Sequence, residues 1–213
     1  IILHTPYCKT EKISWVTNEQ KQKYNGNDYF IKLISHPRIS VNYVNLDNIG
    51  FYDSASEVIK SDYLRYYMLY TYGGVWSDTD IIYTSNIEKK LNSDAETIMF
   101  KCSYIKDCYY YPIGFFCCKR KSNIFKMLME EAIKFYNPNM YQSIGASMIA
   151  TLIENNKIKE SDALFLDNEY YLPFHFNQLD EIFVKDDNIL PKNTFGIHWF
   201  NGGNISKKYS IEL

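Results

Sequence analysis

Asp78 and Asp80, in "VWSDTDII", stand two residues apart. In extended chain, residues at that spacing project to the same side, so both carboxylates can approach one divalent cation. Hard cations take oxygen ligands, and Mg²⁺ or Mn²⁺ keeps positions open for phosphate oxygens. Upstream lie Asp62 and Arg65, three residues apart and therefore on one face of a helix. A lone charge buried there costs several kcal/mol. The pair therefore either meets as an intrahelical ion pair or lines a cleft. All four charges fall inside "SDYLRYYMLYTYGGVWSDTDII", which is otherwise largely apolar and aromatic. A D-x-D alone is a weak signal. Here it follows Gly73-Gly74, which lets the backbone reverse tightly and brings a helix end beside the D-x-D segment.

The elements that must position these groups alternate along the chain. "IILH" reads as a short buried strand, "NDYFIKLIS" as a short helix and "RISVNYVNL" as a strand. Ser54 and Glu57 have the spacing of a capping box. The helix they open is expected to run to about Tyr72, with Gly73 as its stop signal. "VWSDTDIIY" reads as a strand broken by a polar turn, and "IMFKC" and "PIGFFCCK" as further strands. Ser122 caps a helix with Ile124, Met127, Leu128 and Phe135 at helical spacing. A turn at "NPN" precedes a helix in "SIGASMIATLIENN". "ALFL", "EIFV" and "TFGIHWF" read as closing strands. Alternating strands and helices in 213 residues predict a single α/β layered domain over residues 1–213.

Composition narrows the function. A net charge of −2 lacks the basic surplus of nucleic-acid binders. No apolar run approaches the length that spans a bilayer. Aromatic content is 17%, with 20 Tyr. Tyr joins a flat apolar face to a hydroxyl, which suits sugars or bases, although most of these residues must fill core and rim. Of the five cysteines (Cys8, Cys102, Cys108, Cys117 and Cys118), no set has zinc-site spacing. Cys117 and Cys118, adjacent on an expected strand, face opposite ways. Reduced thiols in a cytosolic-type compartment are the simplest reading. The chain opens at Ile1, straight into a strand-like run, as a domain cut from a longer chain would.

"SDYLRYYMLYTYGGVWSDTD" resembles the S-D-x-x-R-Y-x-x-L-Y-x-x-G-G-x-[YW]-x-D-x-D signature of the D-x-D sugar-binding-region glycosyltransferases. The yeast initiating mannosyltransferase and the glucosyltransferase domains of large clostridial toxins are of this kind. Ser61, Asp62, Arg65, Tyr66, Leu69, Gly73, Gly74, Trp76, Asp78 and Asp80 match position by position. The resemblance implies a GT-A fold, a Rossmann-like mixed sheet flanked by helices. It implies that Asp78 and Asp80, with Thr79 between them, hold Mn²⁺ or Mg²⁺ against a nucleoside-diphosphate sugar, with UDP as the nucleotide. It also implies that Asp62 and Arg65 bind the donor sugar, that a glycan or glycoprotein is the acceptor, and that configuration is retained. In "GIHWFNGGNISKK", His198, Gly202, Gly203 and Lys207 resemble the H-x-x-G-x-x-K segment of related retaining transferases, with a different spacing to Lys207. This implies contacts to the metal or diphosphate, with His198 as a third ligand. Thr5 and Tyr7, after the first strand, are expected at the base and ribose. Ser143 and Gly145 are a partial match to a Thr-Gly-Pro element of relatives. Tyr109 to Gly114 would face the acceptor or form an exposed loop. His4, His36 and His175 read as structural. Length and an Asn-, Lys-, Ile- and Tyr-rich composition are similar to transferase domains of large DNA viruses of algae and amoebae, including chlorovirus capsid-glycosylating enzymes. That likeness implies the host cytoplasm.

Two other chemistries fit parts of the pattern. In a haloacid-dehalogenase-type phosphohydrolase, Asp78 would be the nucleophile, Asp80 the acid/base, and Asp186-Asp187 the downstream acidic pair. The flanking "YGGVWS" and "II" suit that motif poorly. A non-catalytic carbohydrate-binding module would use the aromatic residues and leave Asp62 and Arg65 without a role.

Overall fold

The computed structural model describes residues 1–6, 13–16, 20–23, 30–91, 93–105, 108–184 and 190–209. In the first half, strands β1 (Ile2–Pro6), β2 (Ile13–Val16), β3 (Gln20–Lys23) and β4 (Ser40–Val44) are followed by β5 (Gly74–Ser77) and β6 (Ile81–Tyr83). Helices α1 (Phe30–Ile34), α2 (Glu57–Tyr72) and α3 (Ile87–Lys90) separate them. The second half adds β7 (Thr97–Ile105), β8 (Cys108–Tyr110), β9 (Phe115–Cys118), β10 (Leu164–Asp167) and β11 (Gly196–His198). Its helices are α4 (Asn123–Phe135), α5 (Ala146–Glu154), α6 (Glu181–Val184) and α7 (Asn204–Lys208).

Pairing is mixed. The main sheet runs β10-β7-β9-β5, with β8 also on β7. β10 lies parallel to β7, while β7, β9 and β5 are antiparallel. β1 and β4 form a parallel pair, and β6 and β11 an antiparallel one. Successive strand side chains face opposite ways, and β9 shows what that does. Phe116 and Cys118 join a core with Tyr66 and Leu69 of α2, Phe125 and Leu128 of α4, and Met148 and Ile149 of α5. Phe115 and Cys117 face a second core with Phe100, Tyr171 and Phe195. Each wholly buried Phe or Leu stabilises the fold by about 2 kcal/mol. The expected split of Cys117 and Cys118 to opposite faces is thus observed. Burial pushes both thiols up to about 12, so they stay protonated and inert.

Helix α2 carries the site, and its end is sharply set. Gly73 has φ +70° and returns its N–H to the Leu69 carbonyl at 2.8 Å. A Cβ on Gly73 would stand 2.5 Å from the Arg120 backbone nitrogen. Gly74 has φ +95° but open space around it. Gly73→Ala is therefore expected to cost about 2–3 kcal/mol and Gly74→Ala about 1 kcal/mol, measured by denaturant unfolding.

Several expectations need correction. The cap of α2 is Ser56, which accepts from the Ile59 N–H at 3.3 Å, not Ser54. The chain first closes a turn, Ala55 N–H to the Tyr52 carbonyl, which buries Phe51 and Ala55 and delays the helix. Ser122 flanks α4 without a side-chain cap, because its hydroxyl pairs with that of Thr97 at 2.9 Å in the core. "EIFV" is the short helix α6 rather than a strand. Its N–H groups bond three residues back, and buried Leu179 anchors the turn that enters it. β1 is not buried as expected. Ile1 and Ile2 are exposed, and β4 is its one partner among the described residues.

Candidate active site

Helix α2 projects Asp62, Arg65 and Tyr66 from one buried stretch. The Arg65 guanidinium gathers three acceptors. One nitrogen donates to Asp62 Oδ1 at 2.6 Å; the other donates to Asp78 Oδ1 at 3.2 Å and to the Ile113 carbonyl. Its carbon also lies 5.5 Å from the centre of the Trp76 ring. The first reading of the Asp62–Arg65 spacing holds, since the pair meets within the helix, and Arg65 reaches on to the D-x-D segment. Burial disfavours the charged guanidinium, but Asp78 and Asp62 outweigh it and keep Arg65 protonated.

Asp78 to Asp80 is the expected polar turn that breaks the strand into β5 and β6, so the two carboxylates are placed by the turn and not by alternation along extended chain. The turn carries the chain from the main sheet to the β6–β11 pair. The Asp78 N–H is fixed by the Gly114 carbonyl at 2.8 Å, and Asp78 Oδ1 accepts from the Trp76 indole at 2.9 Å. Pairing of β6 with β11 sets His198 opposite Ile81. This brings His198 Nε2 to 3.1 Å from Asp80 Oδ1, while the Asn201 N–H donates to Asp80 Oδ2 at 3.0 Å. Burial would raise the Asp80 carboxyl, but the hydrogen bond and charge of His198 and the Asn201 N–H prevail and hold it low.

One ligand atom each from Asp78, Asp80 and His198 lies within 4.8 Å of the others. Two carboxylates and an imidazole are a donor set that Mn²⁺ accepts. Neighbouring ligands of an octahedral cation with bonds of ~2.1 Å stand ~3 Å apart, close to the Asp80–His198 separation. Gly114 leaves room beside them: a Cβ there would meet Asp78 Oδ2 at 3.2 Å and His198 Cε1 at 3.8 Å. The residues present fit a divalent cation.

Two family models match this chain. "Glycosyltransferase sugar-binding region containing DXD motif" matches residues 6–98, and "Alpha 1,4-glycosyltransferase conserved region" matches residues 117–212. Both models describe glycosyltransferases, so the chain is a glycosyltransferase with a D-x-D sugar-binding region. No curated protein and no solved structure matches it significantly. The transferase's mixed sheet flanked by helices agrees with the GT-A fold that the family implies. Since both models describe transferases, the phosphohydrolase and binding-module alternatives lose their ground.

The transferase brings together Asp62, Arg65, Asp78, Asp80 and His198. Thr79 is exposed at the tip of the turn between the two carboxylates. Thr5 is half-buried on β1, where alternation turns it away from the face of His4. Tyr7 lies outside the described residues. Gly203 precedes α7 and bonds to the Phe200 carbonyl, closing the turn that presents Asn201, with Gly202 inside it. Lys207 is exposed on α7, and no contact between it and the carboxylates is found among the described residues.

Four participants had no sequence signal of their own. The His4 ring stacks on Trp76, with centroids 5.9 Å apart and planes 12° from parallel. Burial lowers its pKa, which favours a neutral ring. Asn201 contributes only its main-chain N–H. The Ile113 and Gly114 carbonyls hold Arg65 and Asp78, a service any residue type could supply. No helix of the described residues is long and apolar enough to cross a membrane.

Proposed function

We propose that the transferase moves a sugar from a nucleoside diphosphate to a glycan or glycoprotein hydroxyl, dependent on Mn²⁺ or Mg²⁺, with retention of configuration. The observation that carries this is the cluster of Asp78, Asp80 and His198, with Arg65 joining it to Asp62. Those three residues would hold the cation, which supplies charge neutralisation for the departing diphosphate. Trp76 and Arg65 aim Asp78, while Asn201 aims Asp80. Asp62 is fixed by Arg65 on a rigid helix, so its carboxylate would meet sugar hydroxyls in one orientation. The sugar C1–oxygen bond breaks, the acceptor oxygen bonds C1 from the same face, and its proton passes to the departing phosphate oxygen. UDP as the nucleotide comes from the family resemblance. The likeness to transferases of large DNA viruses supports a glycoprotein acceptor and a cytoplasmic place of action.

A thermal-shift panel of UDP- and GDP-sugars, each with Mn²⁺ or with EDTA, tests this reading. A ligand at a hundred times its Kd stabilises the native state by about 2.7 kcal/mol, a rise of roughly 5–10 °C here. The expected result is such a rise with one nucleotide class, in Mn²⁺ only. A panel without any shift would overturn the reading. Gly114→Ala is further expected to weaken Mn²⁺ binding by about tenfold, since its Cβ presses Asp78 and His198, and to change stability by no more than about 1 kcal/mol.

A further inference from the structure

Two loops meet beside Asp62 and Arg65. One is the segment from Tyr110 to Gly114, whose Ile113 and Gly114 carbonyls hold Arg65 and the Asp78 N–H. The other runs from Asn137 to Gly145, between α4 and α5, and is tied down at three points. The Tyr66 hydroxyl donates to the Ile144 carbonyl at 2.9 Å. Ser143 Oγ accepts from the Asn137 N–H at 3.2 Å. The Gln142 side-chain amide donates to the Tyr110 hydroxyl at 3.3 Å. The loops fit closely: a Cβ on Gly145 would stand 3.1 Å from Ile113 Cδ1 and 3.3 Å from Gln142 Cβ.

Gln142 has φ +57°, in the left-handed region that Gly or Asn occupies at least cost. The turn alone would favour either of those, so a glutamine there points to a use for its side chain. Its amide offers two donors and a carbonyl acceptor, and Tyr110 takes one donor. Burial pushes the Tyr110 hydroxyl up to about 12, and the Asp62 charge nearby adds to the rise. It therefore remains a protonated hydroxyl at any working pH. Tyr110 also stays partly open to solvent, at 37% exposure, so a ligand can reach it.

We propose that Gln142 and Tyr110 form a specificity-determining pair that reads the hydroxyls of the transferred sugar next to Asp62. This rests on the nucleotide-sugar reading above and deepens it. Hexose epimers differ in the direction of one hydroxyl. A fixed pair of hydrogen-bonding groups accepts one epimer and is left unsatisfied by the other, which is how polar sites reach high discrimination. The donor sugar is favoured over the acceptor because the Tyr110 loop is joined through Ile113 to Arg65, and through Arg65 to Asp62.

The test compares kcat/KM for hydrolysis of UDP-glucose and UDP-galactose in Mn²⁺, in the wild type, Gln142→Gly and Tyr110→Phe. Glycine keeps the backbone angle and deletes the amide; phenylalanine keeps the ring and deletes the hydroxyl. Affinity for UDP, which has no sugar to read, is measured alongside. The expected result is a wild-type preference for one epimer that falls at least tenfold in both variants, while the Kd of UDP moves less than twofold. An unchanged preference with intact UDP binding would overturn this proposal alone, as would equal use of the two epimers by the wild type. A wild type that binds no nucleotide sugar would overturn both the proposal and the reading beneath it.

Discussion

Replacing Asp78 or Asp80 with Asn is expected to lower nucleotide-sugar turnover by about a thousandfold or more, and to remove stabilisation by Mn²⁺ plus nucleotide. The substitution keeps the shape of each side chain and an oxygen that still accepts from Trp76 or the Asn201 N–H. It removes the negative charge a hard cation needs. A thousandfold corresponds to about 4 kcal/mol of transition-state stabilisation, within the range supplied by a cation at a charged leaving group. Both side chains are about a quarter exposed, so the fold should survive with a melting temperature within about 3 °C of wild type. Steady-state turnover and thermal shift, run on the same preparations, separate lost function from lost structure. Retention of turnover within tenfold would contradict the assigned role.

The second large effect is on stability. Arg65→Ala strips the countercharge from Asp62 and Asp78 and leaves the Ile113 carbonyl without its donor. Asp62 is 6% exposed, so its charge gains little from water. Removing one partner of a buried pair typically costs about 3–5 kcal/mol. For a chain of this size that lowers the melting temperature by roughly 10 °C, a large part of a typical total stability. Arg65→Lys keeps the charge but not the planar fork, so it cannot serve all three acceptors at once. It is expected to recover about half of the lost stability and little of the activity. Denaturant unfolding of the two variants measures this, and a cost under about 1 kcal/mol for alanine would show that Arg65 is not the hub.

What the sequence revealed follows from distance along the chain. The α2 stop at Gly73 was legible because a single glycine must take a positive φ there. Asp62 with Arg65, and Asp78 with Asp80, were legible because their partners are three and two positions away. The capping box misled because burial of Phe51 and Ala55, a tertiary demand, shifted the helix start to Ser56. "EIFV" misled because three apolar, β-prone residues after Glu181 carry no period long enough to separate strand from helical turn. His198 reaches Asp80 across 118 positions by the pairing of β11 with β6, and only a motif resemblance singled it out. His4 read as structural, and its stacking on Trp76 depends on a non-local approach of β1 to β5 that no local pattern encodes. Gln142 looked like any loop residue until its backbone angle was seen.

The central claim is that Asp78, Asp80 and His198 together grip the cation that the diphosphate needs. Calorimetric titration with UDP, in Mn²⁺ and then in EDTA, measures this most directly. The account predicts binding at least a hundredfold tighter in Mn²⁺, and loss of that difference in Asp80→Asn. Equal affinity in the two buffers would contradict it.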